Sequence, residues 1–158
     1  MSKINEQIMI KKALTFILTF TLAVSMGQEA KKPVDYVDPL MGTTFARWML
    51  FPGVSMPFGM VKLSPDNQRK GWKAGYEYKI HNISGFSHLH SWTMGGLLTM
   101  PVTGKLHIVP GTEKDPDLGY RSRFSHENET AKPGYYSVFL DDYRINVELT
   151  SSTRAGFQ

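Results

Sequence analysis

The sequence contains no cysteine. Disulfide bonds are therefore excluded, and so is a lipid anchor attached to a cysteine. The chain of 158 residues is long enough to bury the core of one modest domain. Without disulfides, that domain must be held together by packing alone or by docking on a larger body.

Several catalytic signatures are missing as well. The chain has no GxSxG nucleophile elbow, no HExxH zinc motif, no P-loop and no GxGxxG stretch. Elbow-serine acyl transfer, zincin chemistry and nucleotide binding therefore have no support. The net charge is also small. It is formally +4, and it falls to about +2 when the three lysines and one glutamate of residues 1–27 are left out. Because no Arg/Lys stripe remains, we expect no nucleic-acid partner.

A span-length hydrophobic run is also missing. The uncharged run Ala13–Val24 is shorter than the roughly 20 apolar residues that a membrane span needs. Lysines precede it and small residues follow it between Ser25 and Gly27, which is the order of a secretory signal. We therefore predict a signal peptide over residues 1–27, no membrane span, and an exported protein that is periplasmic or extracellular. The alternative is a buried N-terminal helix.

Beyond that segment the patterns are those of strands. Short apolar runs are separated by Gly, Pro, Asn and Asp, and no stretch sustains a helical repeat. Period-two alternation rich in Val, Ile, Tyr and Thr occurs in Tyr76–Ile80, Tyr136–Leu140 and Ile145–Leu149, and Gly104–Gly111 is a further strand candidate. We predict an all-β domain over residues 28–158, folded as an antiparallel β-sandwich.

Two adjacent carboxylates, Asp141 and Asp142, lie between the last two of these patterns. Paired carboxylates can perform acid/base chemistry. Asp is also a common turn residue, and the four residues Asp141–Arg144 are placed to close a hairpin. We therefore assign the two aspartates to a turn and predict no catalytic residue in the chain.

The stretch "GFSHLHSWTMGG", Gly85–Gly96, combines two histidines with a tryptophan and glycines. On a strand, His88 and His90 would project from the same face and could share a metal ion, although no third ligand is suitably spaced. Sugar binding explains more of the stretch. An indole face takes the C–H side of a pyranose, and imidazoles and hydroxyls reach its hydroxyl groups.

The candidate sugar-binding residues are therefore Trp92, His88, His90, Ser87 and Asp66, with no metal ligand among them. Asp66 follows Pro65, where a turn residue is the simpler alternative. For the nearby aromatics Trp48, Phe51 and Phe58 we expect packing in the core rather than sugar contact.

Several stretches, read in order, resemble a known family. "FPGVSMPFGMVKLSPDN", "GFSHLHSW" and "KPGYYSVFLDDYRINVELTSSTRAGF" are similar to the N-terminal domain of family 92 glycoside hydrolases, which are exo-acting α-mannosidases. The resemblance covers about Asp35 to Phe157. It implies a sandwich that normally packs on a larger helical domain. It also implies inverting hydrolysis of α-mannosides such as N-glycans or mannan, with the aid of calcium.

The catalytic carboxylates and most of the calcium ligands of that family belong to the helical domain, which this sequence lacks. The resemblance therefore implies a chain that contributes pocket loops, is inactive alone and holds no cofactor itself. Its expected partners are α-mannoside glycans and the missing helical domain. Two other functions remain open: a free-standing carbohydrate-binding module, and a purely structural domain that docks a catalytic barrel.

Overall fold

The structure, a computed structural model, describes residues 3–25, 31–44, 49–68 and 75–158. Residues 1–36 form a separate unit with one helix, α1 (Lys3–Ser25), and a 3₁₀ turn at Pro33–Tyr36. None of the helices in the described residues is long and apolar enough to cross a membrane. The signal peptide stays a prediction, and Met26 and Gly27 beside its proposed cleavage point lie outside the described residues.

In the described part of the second unit, residues 37–158, the structure has ten short strands and two 3₁₀ turns, at Pro116–Leu118 and His126–Asn128. Two four-stranded antiparallel sheets have the orders β1-β2-β4-β5 and β10-β9-β8-β7, and β3 pairs with β6. The strands are β1 (Val54–Ser55), β2 (Lys62–Asp66), β3 (Asn82–Ile83), β4 (Gly85–Ser91), β5 (Thr93–Thr99), β6 (Ser122–Arg123), β7 (Glu129–Lys132), β8 (Tyr135–Leu140), β9 (Ile145–Ser151) and β10 (Gly156–Phe157).

The predicted all-β sandwich is confirmed, and alternation explains which side chains enter its core. Along β8, every second residue is buried, and β9 buries Val147 and Leu149 in the same way. Strands β1 and β2 contact β9, which brings the two sheets together. The buried apolar residues are Val54, Val61, Leu63, Tyr76, Ile83, Phe86, Phe124, Tyr136, Val138, Leu140, Val147 and Leu149.

The hairpin between β8 and β9 is as predicted, with Leu140 opposite Ile145. Its two aspartates are structural. The backbone N–H of Asp141 donates to the carbonyl of Arg123 at 2.9 Å. The Asp142 carboxylate accepts from the backbone N–H of Arg123 at 2.7 Å and from its guanidinium at 2.9 Å. The turn therefore ties the last hairpin to β6.

The predicted strand at Tyr76–Ile80 is wrong. That segment is irregular, because its backbone is paired with a side chain instead of a strand. The Asn67 amide accepts from the N–H of Glu77 at 2.7 Å and donates to the carbonyl of the same residue at 2.9 Å. A single asparagine therefore takes the place of a neighbouring strand, and the alternating residues reflect one buried tyrosine rather than a sheet face.

The strand predicted at Gly104–Gly111 is also wrong. Two backbone hydrogen bonds link Val109 and Pro110 to Tyr120 and Arg121, but the pairing goes no further and no strand forms. Apolar side chains in this segment, such as Ile108, lie in solvent, so no sheet face buries them. The segment is an irregular connection between β5 and β6.

Candidate functional site

The stretch Gly85–Gly96 is a tight hairpin of β4 and β5 rather than a loop. The chain reverses at Trp92, whose φ of 65° lies in the left-handed region. A bulky residue is rarely found there, because its Cβ crowds the backbone. The Trp92 side chain is 63% exposed, so its indole is presented to solvent at the end of the hairpin.

Below the turn at Trp92, a buried hydrogen-bonded pair of side chains joins β4 to β2. The Nε2 atom of His90 lies 2.9 Å from Oδ1 of Asp66, and both side chains are buried. The Nδ1 atom of His90 lies 2.8 Å from the carbonyl oxygen of Lys62, where β2 begins. Phe51 covers the imidazole, with ring centroids 5.2 Å apart. The pair thus fixes the end of β4, one residue before the turn.

Both nitrogens of the His90 ring face oxygen acceptors. Nδ1 must donate to the Lys62 carbonyl, so the contact with Asp66 needs one further proton, either on Nε2 or on the carboxyl group. Within the described residues, Oδ2 of Asp66 is buried and has no hydrogen-bond partner. Both side chains are almost completely buried: Asp66 is 0% exposed and His90 is 4% exposed.

The expectation that His88 and His90 share a face is wrong. The β4–β5 register shifts between Ser87 and Leu89, where two steps along β4 oppose three along β5. His88 bonds the carbonyl of Leu97 at 3.0 Å, while His90 points at Asp66. The two imidazoles therefore occupy separate environments and do not form one ligand pair.

The hydroxyl of Ser87 lies 3.4 Å from Nε2 of His90, so Ser87, His90 and Asp66 form one buried cluster. His88 is half-buried, and Trp92 is the widely exposed member of the five predicted residues. Their role in sugar binding stays a prediction. Trp48 lies outside the described residues.

Phe58 was expected in the core, and that expectation is wrong. It lies at the third position of the turn Met56–Gly59, which is closed by a 2.8 Å hydrogen bond from the N–H of Gly59 to the carbonyl of Met56. With Pro57 second and a φ of 58° third, the turn has the arrangement of type II, in which the third position favours glycine. Here it presents a fully exposed phenylalanine.

A second polar cluster surrounds the buried carboxylate of Glu129. It accepts from the hydroxyls of Tyr76 at 2.8 Å and Tyr136 at 2.6 Å, and its Oε2 atom lies 2.6 Å from Nδ1 of His126. Burial, reinforced by the charge of Glu129, raises the pKa of both phenols well above the usual value. Nε2 of His126 bonds the carbonyl of Tyr78, whose ring stacks on the imidazole at 3.9 Å.

Sequence reasoning missed this cluster, although the spacing His126-x-x-Glu129 was visible. The two tyrosines that complete it come from distant segments, so only the folded chain brings the four groups together. Every Glu129 oxygen has a donor, so the cluster joins the irregular segment after Gly75 to β7 and β8. We assign it to stability.

A groove of about 390 Å³ lies at the same end of the sheet as Trp92. It runs between the start of β2 and the tip of the β4–β5 hairpin. Its walls are mostly apolar, and its lining includes Met60, Lys62, Leu89, Ser91 and Met94. Among the residues that the structure describes, no three His, Asp or Glu side chains lie close enough to hold a metal ion together.

The chain is similar to known proteins in both sequence and structure. A family model described as the glycosyl hydrolase family 92 N-terminal domain matches residues 36–158. A solved family GH92 α-mannosidase from Bacteroides thetaiotaomicron, in complex with mannoimidazole, is 40% identical with a TM-score of 0.70. The match covers 80% of this chain and 17% of that one.

Two further glycosidases are similar to this chain. An inverting family GH92 mannosidase from Bacteroides thetaiotaomicron VPI-5482 is 31% identical with a TM-score of 0.60, over 80% of this chain and 18% of that one. An uncharacterized secreted glycosidase from Arthroderma benhamiae is 33% identical over 150 residues, which is 88% of this chain and 19% of the relative. The chain therefore spans less than a fifth of the length of each relative.

Proposed function

This chain belongs to glycosyl hydrolase family 92, as its N-terminal domain, and on that premise we propose that it forms one wall of the substrate pocket of an exported exo-α-mannosidase. One observation carries the proposal. Trp92 offers an exposed indole at the end of a hairpin that is fixed from below by the buried His90–Asp66 pair. A rigid, exposed aromatic face is what stacking on a pyranose needs.

The five predicted residues divide into two roles in this proposal. Trp92 contacts sugar, and the half-buried His88 lies close enough to the surface to assist it. Ser87, His90 and Asp66 hold the hairpin in place, because their polar groups face each other within the domain. The chain supplies no acid or base to the reaction. Inverting hydrolysis needs two carboxyl groups with a water between them, and we assign both to the remaining portion of the enzyme.

Calcium, which the family resemblance implies, does not fit the described part of this chain. Such an ion takes six to eight oxygen ligands. Among the residues that the structure describes, no three His, Asp or Glu side chains come close enough together to supply its carboxylate ligands. We therefore place any calcium in the remaining portion of the enzyme and route no step through it here.

Export is part of the proposal. It rests on the order of charge, apolar run and small residues in residues 1–27, and one relative is called a secreted glycosidase. The substrates are terminal α-mannosides, such as those of N-glycans. A free-standing carbohydrate-binding module is the second candidate, because Trp92 could stack on sugar without any partner domain.

A fusion tests the proposal. The full chain is joined through Gln158 to the portion of the 40% identical Bacteroides enzyme that lies beyond its matched segment. We expect hydrolysis of a chromogenic α-mannoside by the fusion and none by the chain alone. An inert fusion, beside an active intact Bacteroides enzyme, contradicts the proposal. Tight mannoside binding by the chain alone favours the binding module.

A further inference from the structure

A polar pocket of about 250 Å³ lies between the irregular connection from β5 to β6 and the turn between β8 and β9. It shares no lining residue with the groove beside Trp92. Most of its lining side chains are polar, and they include Lys105, His107, Asp117, Arg121, Asp142 and Tyr143. The proposed function uses none of them.

Hydrogen bonds between distant segments hold the walls of this pocket together. The hydroxyl of Thr103 donates to the carbonyl of Tyr143 at 3.1 Å, which joins the connection to the β8–β9 turn. The backbone N–H of Tyr120 donates to the carbonyl of Val109 at 2.9 Å, which joins the two halves of the connection. The pocket is therefore built by three segments that the fold ties to one another.

Arg121 is the buried cation of the lining. Its side chain is 5% exposed, and its Nη1 atom donates to the carbonyl oxygen of Asn67 and to Oδ1 of Asn82, each at 2.8 Å. Both acceptors are uncharged, so these two bonds orient the guanidinium and leave its charge in place. A guanidinium with a fixed orientation is preorganised to donate to the oxygens of an anion.

Two carboxylates also line the pocket, and Arg123 engages both of them. Its guanidinium donates to Asp117 at 2.6 Å and to Asp142 at 2.9 Å. The described residues contain no group of three His, Asp or Glu side chains that could hold a metal ion, so His107 and these aspartates do not form one. The two acids therefore belong to an ion-pair network of the protein itself and not to a cation site.

The two remaining ionisable side chains of the pocket, Lys105 and His107, are hydrogen-bond donors. Neither has a hydrogen-bond or ion-pair partner within the described part of the chain. Lysine, arginine and histidine are donors that suit phosphate oxygens. We propose that this pocket is an oxyanion site that takes a phosphate group, with Lys105 and His107 as its donors beside Arg121. The site is independent of the proposed function, because it shares no residue with the hairpin that carries Trp92.

Titration calorimetry of the full chain with inorganic phosphate tests the proposal. We expect one saturable site per chain. Lys105→Met should raise the Kd about ten- to hundredfold, as the loss of a hydrogen bond to a charged group does. Lys114→Met is the matched control, because it removes the same charge from the same connection although Lys114 does not line the pocket. Both lysines are exposed, so neither variant should change the melting temperature.

Mannose 6-phosphate distinguishes the two sources of a phosphate group. Tighter binding than that of inorganic phosphate, again weakened by Lys105→Met, supports the site and assigns it to a phosphorylated sugar. Equal or weaker binding supports it and assigns it to free phosphate. The proposal is overturned if no saturable binding occurs, or if Lys105→Met leaves the Kd unchanged. It is also overturned if both lysine variants weaken binding equally, which indicates general charge attraction, or if unphosphorylated mannose displaces the phosphate.

Discussion

At the scale of single residues, both histidine–carboxylate pairs use every polar atom of the imidazole ring. His90 joins Asp66 to the Lys62 carbonyl, and His126 joins Glu129 to the Tyr78 carbonyl. A ring held at both nitrogens has a single orientation. The His90 pair adds side-chain contacts to the ladder between β2 and β4, and the His126 pair ties β7 to the irregular segment after Gly75.

The His90–Asp66 pair should be expensive to break. Removing the imidazole leaves the buried Asp66 carboxyl group and the Lys62 carbonyl without this partner, at a combined cost of about 2–6 kcal/mol from roughly 1–3 kcal/mol for each unsatisfied buried group. We expect His90→Ala to lower the free energy of unfolding by that amount in urea titrations. His88→Ala is the control, because it removes one hydrogen bond of a half-buried ring and should cost about 1 kcal/mol. Equal losses would contradict the supporting role of His90.

The phenols around Glu129 predict loss of stability in alkali. The pKa of Tyr76 and of Tyr136 is raised in the folded chain above the usual 10.0. The folded state therefore holds these protons more tightly than the unfolded state. The stability that they contribute is complete below pH 10 and declines as the pH rises beyond it.

Urea midpoints from pH 8 to pH 11.5 measure this decline. Tyr136→Phe should be less stable at pH 8, because the Glu129 carboxylate loses a donor, a loss of about 1.5–3 kcal/mol for a bond to a charged group. Its decline above pH 10 should be shallower, since one titrating phenol is gone. Parallel curves for the two proteins would show that Tyr136 does not titrate with unfolding.

At the scale of elements, the segment Phe51–Gly53 lies close to the backbone of β2. A Cβ on Gly53 would overlap the carbonyl oxygen of Leu63 and the backbone of Ser64. We expect Gly53→Ala to shift this contact and to destabilise the chain by about 1–3 kcal/mol, as overpacking does.

Gly95→Ala is the matched control for that substitution. Its Cβ would meet only the Leu89 side chain, at 3.8 Å, and its φ is not positive. Thermal melts of the two variants measure the difference. If both variants lower the melting temperature equally, the loss comes from glycine replacement in general and not from the contact between Gly53 and the backbone of β2.

The same scale shows what the sequence could and could not reveal. Alternation along β8 and β9 and the Asp141–Arg144 turn predicted that hairpin correctly, because neighbouring residues determine it. The segment Tyr76–Ile80 carried the same alternation but is no strand, since its backbone partner is the distant Asn67 amide.

The candidate site was predictable to a similar degree. Its location in Gly85–Gly96 followed from composition. The separate surroundings of His88 and His90 did not, because they depend on partners in other segments, Leu97 for His88 and Asp66 for His90, which the spacing does not reveal. The exposure of Phe58 could not be predicted either. A phenylalanine that follows a proline is compatible with a buried core position as well as with a strained turn.

At the scale of the whole molecule, the described part of the chain exposes many large apolar side chains. Phe58, Met60, Trp92, Leu97 and Ile108 all lie in solvent. Soluble monomers rarely expose contiguous apolar patches beyond a few hundred Å². We expect the purified chain to bind an apolar dye and the fusion to bind much less per molecule. A monomeric chain that melts cooperatively without dye binding would contradict this.

The central claim is that Trp92 stacks on the sugar, and the fusion carrying Trp92→Ala tests it most directly through kinetics and melting together. Loss of a stacking contact of about 1–1.5 kcal/mol should reduce kcat/KM about five- to twelvefold. The melting temperature should scarcely change, because the side chain is 63% exposed, and Ile108→Ala should change neither quantity. The opposite result, a melting temperature that falls by many degrees with kcat/KM per folded molecule unchanged, would place Trp92 in a structural role and remove the sugar from this hairpin.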